Sequence, residues 1–274
     1  MHATVSAIHI YPIKSCRGLT LKATRFDAMG PVYDRRLMLV DGDGRFLSQR
    51  ELPRMALIDA RIAPMAIQVS APDMPPLKVP TDRKNAPRVE VGLWGGRGDA
   101  EDLGEHAADW FSSFLQTRCR LVRFPDDGFR PVDPDYARFE ARVAFADGFP
   151  VLLTSESSLK ELNARMDGGG GRVPMDRFRP NLVVRGSEPF EEDRWRQIRV
   201  GELVLDVVKP CARCKITTVD QITGKTGTEP LATLAGFRKR DNEVLFGQNC
   251  VHHGPGSVRV GDEVEILEWA EPPA

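Results

Sequence analysis

Lys209-Pro210-Cys211-Ala212-Arg213-Cys214-Lys215 sets two thiols three residues apart among three cations. The apolar run Leu203-Val204-Leu205-Asp206-Val207-Val208 leads into it, and the β-branched run Ile216-Thr217-Thr218-Val219 follows. Read as strand, short turn, strand, the stretch argues against a thioredoxin-like redox pair, which opens a helix in a βαβ setting. Positive charge beside a thiol favours the thiolate. Thiolate is the form that binds soft metals or attacks electrophiles, so the chemistry is expected in this turn.

Outward from the turn, short apolar runs are broken by Gly, Pro and Asp. Arg36–Val40, Ala56–Ala60, Arg88–Val91, Cys119–Arg123, Pro150–Leu153 and Asn181–Val184 all read as strands. One pattern recurs, Arg199-Val-Gly-Glu-Leu-Val-Leu-Asp-Val and Arg259-Val-Gly-Asp-Glu-Val-Glu-Ile-Leu, each a strand, glycine turn and strand. Many short strands at such spacing predict a barrel or curled sheet. Two helices are expected. Ala100 to Leu115 puts Leu103, Ala107, Trp110, Phe111 and Phe114 on one face. Ser155 to Met166 opens with Ser155 as N-cap. The fold class is therefore α+β, mainly β. Asp126 to Asp135 reads as a long loop or boundary, and Gly168 to Gly171 as a flexible tip.

The 274 residues suffice for one large or two ordinary domains. Apolar residues at 41% and charged residues at 28% describe an ordinary globular chain. A net charge of −1 gives no general attraction to nucleic acid. Five cysteines, at 16, 119, 211, 214 and 250, form no disulfide framework and favour a reducing compartment. No signal-peptide pattern opens the chain, and no apolar stretch reaches the roughly 20 residues a bilayer needs. No membrane association and a cytoplasmic location are expected.

Several segments suit an anionic ligand. Ile10-Tyr11-Pro12-Ile13-Lys14-Ser15-Cys16-Arg17-Gly18 ends a strand in a cationic turn; Asp34-Arg35-Arg36 and Arg177-Phe178-Arg179-Pro180-Asn181 enter others. Thr154-Ser155 opens a helix whose free N–H groups offer a phosphate seat. Arginine forks suit phosphate or carboxylate. Plainer readings stand beside these. Cys16 and Cys119 read as core thiols, and Trp94, Trp110, Trp195 and Trp269 as packing. Cys250, His252 and His253 joined to Cys211 and Cys214 describe a structural zinc site, without regular spacing.

Together, Tyr11–Gly18, Asp34-Arg35-Arg36, Ser155-Glu156-Ser157-Ser158-Leu159, Phe178-Arg179-Pro180-Asn181, Cys211–Asp220 and Phe246-Gly247-Gln248 carry a resemblance over nearly the full chain. They are similar to the MOSC superfamily with its N-terminal β-barrel companion, in particular its amidoxime-reducing and YcbX-type branches. The resemblance implies an N-terminal barrel-like domain over residues 1–125, packed on a MOSC β-barrel over 126–274 with a cofactor between them. It implies a molybdenum cofactor (Mo-molybdopterin) whose metal takes Cys214 as thiolate ligand, the catalytic position, while Cys211 is not used. Lys14, Ser15 and Arg35 would contact the cofactor from the first domain, and Ser155, Arg179, Asn181 and Arg213 from the second. Asn249 departs from the aromatic residue of the mitochondrial branch. Pyridoxal phosphate binding and metal binding are further expectations.

The activity so implied is reduction of small N-hydroxylated compounds (amidoximes, hydroxylamines, N-hydroxylated nucleobases). No four-cysteine ferredoxin run follows Val260, so electrons are expected from a separate flavin, ferredoxin or haem protein. The alternative is a molybdopterin or sulfur carrier without redox turnover.

Overall fold

Seven strands with alternating apolar positions close on themselves in the computed structural model, which describes residues 2–81, 86–93, 96–166 and 171–270. Here they are β1 (Ala3–Ile10), β2 (Val151–Ser155), β3 (Leu182–Arg185), β4 (Trp195–Val200), β5 (Leu203–Ala212), β6 (Glu243–His252) and β7 (Glu263–Trp269). The hydrogen-bonded order is β2-β3-β1-β7-β4-β5-β6, and β6 returns to β2. Only β2 and β3 run parallel; they need a crossover, which the helix α2 (Glu156–Arg165) supplies. Leu203, Leu205 and Val207 point inward with Ile198, Val200 and Leu153, all buried. Each such side chain contributes roughly 1.5–3 kcal/mol by leaving water. Closure depends on Gly247, at φ +78°: a Cβ there would lie 2.7 Å from the Leu153 carbonyl oxygen.

A second body lies between β1 and β2 in sequence. Leu37–Val40, Arg120–Arg123, Gly96–Asp102 and Arg88–Leu93 form one antiparallel sheet in that order. Asp59–Ala63, Ala66–Ser70 and Leu77–Pro80 form another. Helix α1 (Glu105–Leu115) buries Ala107, Trp110, Phe111 and Phe114 in this body's core. It starts later than the apolar spacing suggests, because Ala100–Asp102 are strand and Gly104 turns the chain at φ 90°. The Gly104 N–H is held by Asp102 Oδ1 at 2.7 Å.

The mainly β architecture agrees with the sequence reading, and two local differences have physical causes. Ile216–Val219 does not continue as strand; Lys215–Thr218 is a turn of 3-10 helix. Thr217 Oγ1 donates to the Cys214 carbonyl (3.0 Å) and Thr218 Oγ1 to that of Lys215 (2.8 Å). Such back-bonding gives β-branched threonine a local alternative to a ladder. Secondly, β1 lies in the barrel built otherwise from residues beyond 150, so the first strand crosses in space a division drawn near residue 125. The irregular stretch after Arg123 packs Val132, Val143 and Ala146 on Val251 of β6. Of the glycine run 168–171 only Gly171, and of the four tryptophans all but Trp94, fall within the described residues.

Candidate functional site

Where the second body meets one end of the barrel, a cavity of about 130 Å³ opens to solvent. Lys14, Ser15, Arg35, Arg179, Asn181, Arg213 and Cys214 line it, drawn from four separate stretches of chain. Cys211, Asp147, Phe149 and Asn249 complete much of the wall. Cys214 is exposed and follows the end of β5. The sulfur that motivated the sequence reading thus faces a hollow shared with the expected cations.

Three of these residues hold a left-handed backbone: Ser15 at φ 63°, Arg35 at 48° and Arg179 at 55°. A non-glycine residue there costs roughly 1–2 kcal/mol, so the surrounding contacts must hold it. Buried Tyr11 is one such contact. The Arg35 guanidinium stacks on its ring at 4.6 Å and that of Arg179 at 4.2 Å. Its hydroxyl donates to the Pro180 carbonyl at 3.0 Å. Gly18 makes the room, since a Cβ would sit 2.4 Å from that ring. Sequence reading left Tyr11 unassigned, because its role appears only when the two arginines meet in space.

The cations differ in how they are neutralised. Arg35 pairs with buried Asp34; burial opposes its charge, yet Asp34, Tyr11 and Asp147 together outweigh this and raise its pKa. Lys14 is 4% exposed and donates to the Phe145 carbonyl (2.7 Å) and to Asp147. Burial pushes its ammonium below the usual lysine range despite Asp147. Arg179 is 7% exposed, donates to the Cys16 carbonyl at 2.7 Å, and has no carboxylate at ion-pair distance among the described residues. Burial pushes its pKa down too. Arg213 donates to Cys211 Sγ (2.9 Å) and the Phe178 carbonyl (2.6 Å), while its buried Nε finds no acceptor. Two guanidiniums therefore face the cavity region without a carboxylate of their own among the described residues. A buried charge left in this state is costly, and an anionic ligand is its natural complement.

That donor set fits a molybdenum cofactor. Its phosphate and polar pterin need forked donors, and its metal needs a soft, accessible thiolate. Asn181 serves as a brace: Oδ1 accepts from the Leu152 N–H (3.1 Å) and Arg35 (3.3 Å), and Nδ2 donates to the His9 carbonyl (3.2 Å). A reciprocal amide pair locks the two bodies. Gln49 Nε2 donates to the Ser15 carbonyl (2.7 Å) and Gln221 Oε1 (3.2 Å), and Gln221 Nε2 returns a bond to Gln49 Oε1 (2.9 Å).

Ser155 is not brought to this cavity. It is fully buried and caps α2, accepting from the Ser158 N–H at 3.1 Å. Its hydroxyl donates to Glu192 Oε2 (3.1 Å), and Ser158 Oγ donates to Oε1 (2.7 Å). The expected phosphate seat is thus occupied by an internal carboxyl group. The zinc arrangement is not formed either. No three His, Cys, Asp or Glu side chains gather among the described residues, and Cys250 is buried with its thiol pushed far up by burial. Cys16 and Cys119 are core thiols; burial pushes Cys16 up to about 12. Asp147 and Phe149 carried no sequence signal beyond a turn between apolar residues.

Comparison with known proteins gives a consistent picture. Residues 2–118 match the MOSC N-terminal beta barrel domain and 140–265 the MOSC domain. The chain is 36% identical to mitochondrial amidoxime-reducing component 1 of Mus musculus, across 96% of this chain and 82% of that one. Identity to the Homo sapiens protein of that name is 34%, across 96% and 83%. Molybdenum cofactor sulfurase of Oryza sativa subsp. japonica is 32% identical across 89% of this chain but 32% of its own length. Pyridoxal phosphate, also expected, finds no support: none of these names carries it, and Lys14, the lysine of the cavity wall, is buried against Asp147. No helix among the described residues is long and apolar enough to cross a membrane.

Proposed function

Because the chain belongs to the MOSC family, sharing both of its domains with the amidoxime-reducing components, we propose that it is a molybdenum-cofactor-dependent reductase of N-hydroxylated compounds. The observation carrying this reading is the accessible Cys214 thiol in one cavity with two guanidiniums that meet no carboxylate among the described residues. When bound, the cofactor supplies two-electron chemistry that removes oxygen from nitrogen. The protein's own residues hold, orient and shield. Cys214 ligates the metal; Arg179, Arg213, Arg35 and Lys14 bind phosphate and pterin; Ser15 and Asn181 fix the backbone that presents them. Ser155 acts at one remove, by anchoring the helix that follows β2.

Each turnover takes two electrons and two protons, breaks the N–O bond, and releases amine and water. The electrons come from a separate flavin, ferredoxin or haem protein. Five free cysteines suit a reducing compartment, with the cytoplasm as the proposed location. The relative named molybdenum cofactor sulfurase supports a second reading, a carrier of molybdopterin or sulfur through Cys214.

Protein purified from a molybdenum-replete host should carry near one molybdenum per chain and reduce benzamidoxime with reduced methyl viologen as donor. Cys214→Ala should lose both. Molybdenum without turnover in the wild-type protein would leave the carrier reading. Full metal content in Cys214→Ala would refute the ligand assignment.

A further inference from the structure

The charges of the cavity are ordered by depth. Arg179 and Lys14 are nearly inaccessible, and Arg35 is half-buried. Asp147, the one carboxylate among the described lining residues, has a side chain 70% exposed. It therefore stands at the mouth, where a substrate arrives, while the cations lie where an anionic cofactor is held. Its position is fixed rather than loose. Arg130 Nη2 donates to the Asp147 carbonyl at 2.8 Å, and Arg130 Nη1 holds the carbonyls of Ala144 (2.9 Å) and Ala146. Lys14 fixes the carboxylate from inside.

Beside it there is room and an aromatic wall. A Cβ added at Gly148 would meet nothing within 4 Å. Phe149, also lining the cavity, is braced edge-on by Tyr136 at 5.8 Å between ring centroids. A fixed acceptor, open space and an aromatic face suit an aryl group bearing N–H donors.

Building on the reductase reading, we infer that Asp147 is a specificity residue that selects N-hydroxylated amidines and guanidines over hydroxamic acids. An amidoxime carries an amino group on the carbon next to its N–OH nitrogen, and a carboxylate accepts hydrogen bonds from it. A hydroxamic acid puts a carbonyl oxygen there, which faces the carboxylate as a second acceptor. The amidine product is cationic and gains further from Asp147. Lys14 beside Asp147 weakens its field, as do Arg35 and Arg130 nearby, but leaves the acceptor geometry in place. Rim exposure limits the size of the effect, so discrimination of roughly five- to tenfold is expected.

The test compares benzamidoxime with benzhydroxamic acid on the holoprotein, using reduced methyl viologen and normalising to molybdenum content. The ratio of kcat/KM values should fall roughly five- to tenfold in Asp147→Asn and recover in Asp147→Glu. An unchanged ratio, or one that Asp147→Glu does not restore, overturns the inference. Binding provides a readout without turnover: calorimetry should find benzamidine bound more tightly than benzamide, with the difference lost in Asp147→Asn. Equal binding of the two by wild type also overturns it. If the wild type reduces neither substrate, the reductase reading fails, and the binding pair still decides the role of Asp147.

Discussion

The N-terminus of α2 and the cavity at the barrel's end both gather donors around a point that favours negative charge. At α2 the chain supplies the acceptor itself: Glu192 accepts from Ser155 and Ser158 and is wholly buried. In the cavity, Arg179 meets no carboxylate among the described residues, and Arg213 keeps an unmatched Nε. The difference separates a structural anion seat from a binding one. Donors alone do not distinguish them; what matters is whether the fold provides the acceptor.

Arg179→Met breaks the comparison most sharply. Loss of charge-assisted bonds worth about 1.5–3 kcal/mol should weaken cofactor retention roughly ten- to hundredfold. The cofactor-free protein should lose little stability, because relief of the buried charge offsets the lost bond to the Cys16 carbonyl and the lost stacking on Tyr11. Pterin content and thermal melting check the two halves. Glu192→Ala should behave in the opposite way. It removes the acceptor of two buried hydroxyls, costs about 2–3 kcal/mol in denaturant unfolding, and leaves the pterin content of the folded fraction intact.

Acidity sharpens the contrast. Burial, opposed by the Ser158 bond, raises the Glu192 carboxyl above the usual glutamate range. The folded state then binds more protons than the unfolded one through that window. This contribution to stability is full below the unfolded pKa and declines as pH rises through the folded one. Unfolding midpoints of Glu192→Gln should lack that decline when compared with wild type from acid to neutral pH. The smallest effect belongs to Cys211→Ala. It should leave molybdenum content within about twofold of wild type, since Arg213 keeps its bond to Phe178; metal analysis shows whether the other thiol is the ligand.

Much of this was legible from residues in order. Pro150–Leu153, Asn181–Val184, both arms of the first glycine-turn repeat and the second arm of the other became barrel strands, since alternating burial is a local pattern; Arg259 instead ends a strand paired with Ala23–Asp27. Seven of the eight expected site residues converge on one cavity. What remained hidden depended on distance along the chain. Ser155 looked available to a phosphate because Glu192 lies 37 residues away. Ile216–Val219 looked like strand because its threonine back-bonds carry no propensity signature. Asp147 joins the site through Lys14, 133 positions earlier, and no short window contains both.

The placement of β1 bears on how a ribosome makes this molecule. β1 precedes the other staves in the chain and pairs with β3 and β7, and of the seven staves Glu263–Trp269 leaves the ribosome after the rest. Until then the nascent barrel has an open seam with exposed ladder groups, so closure waits for β7. Expressing residues 126–274 alone should reproduce that gap, and adding residues 2–12 as a separate peptide should seal it.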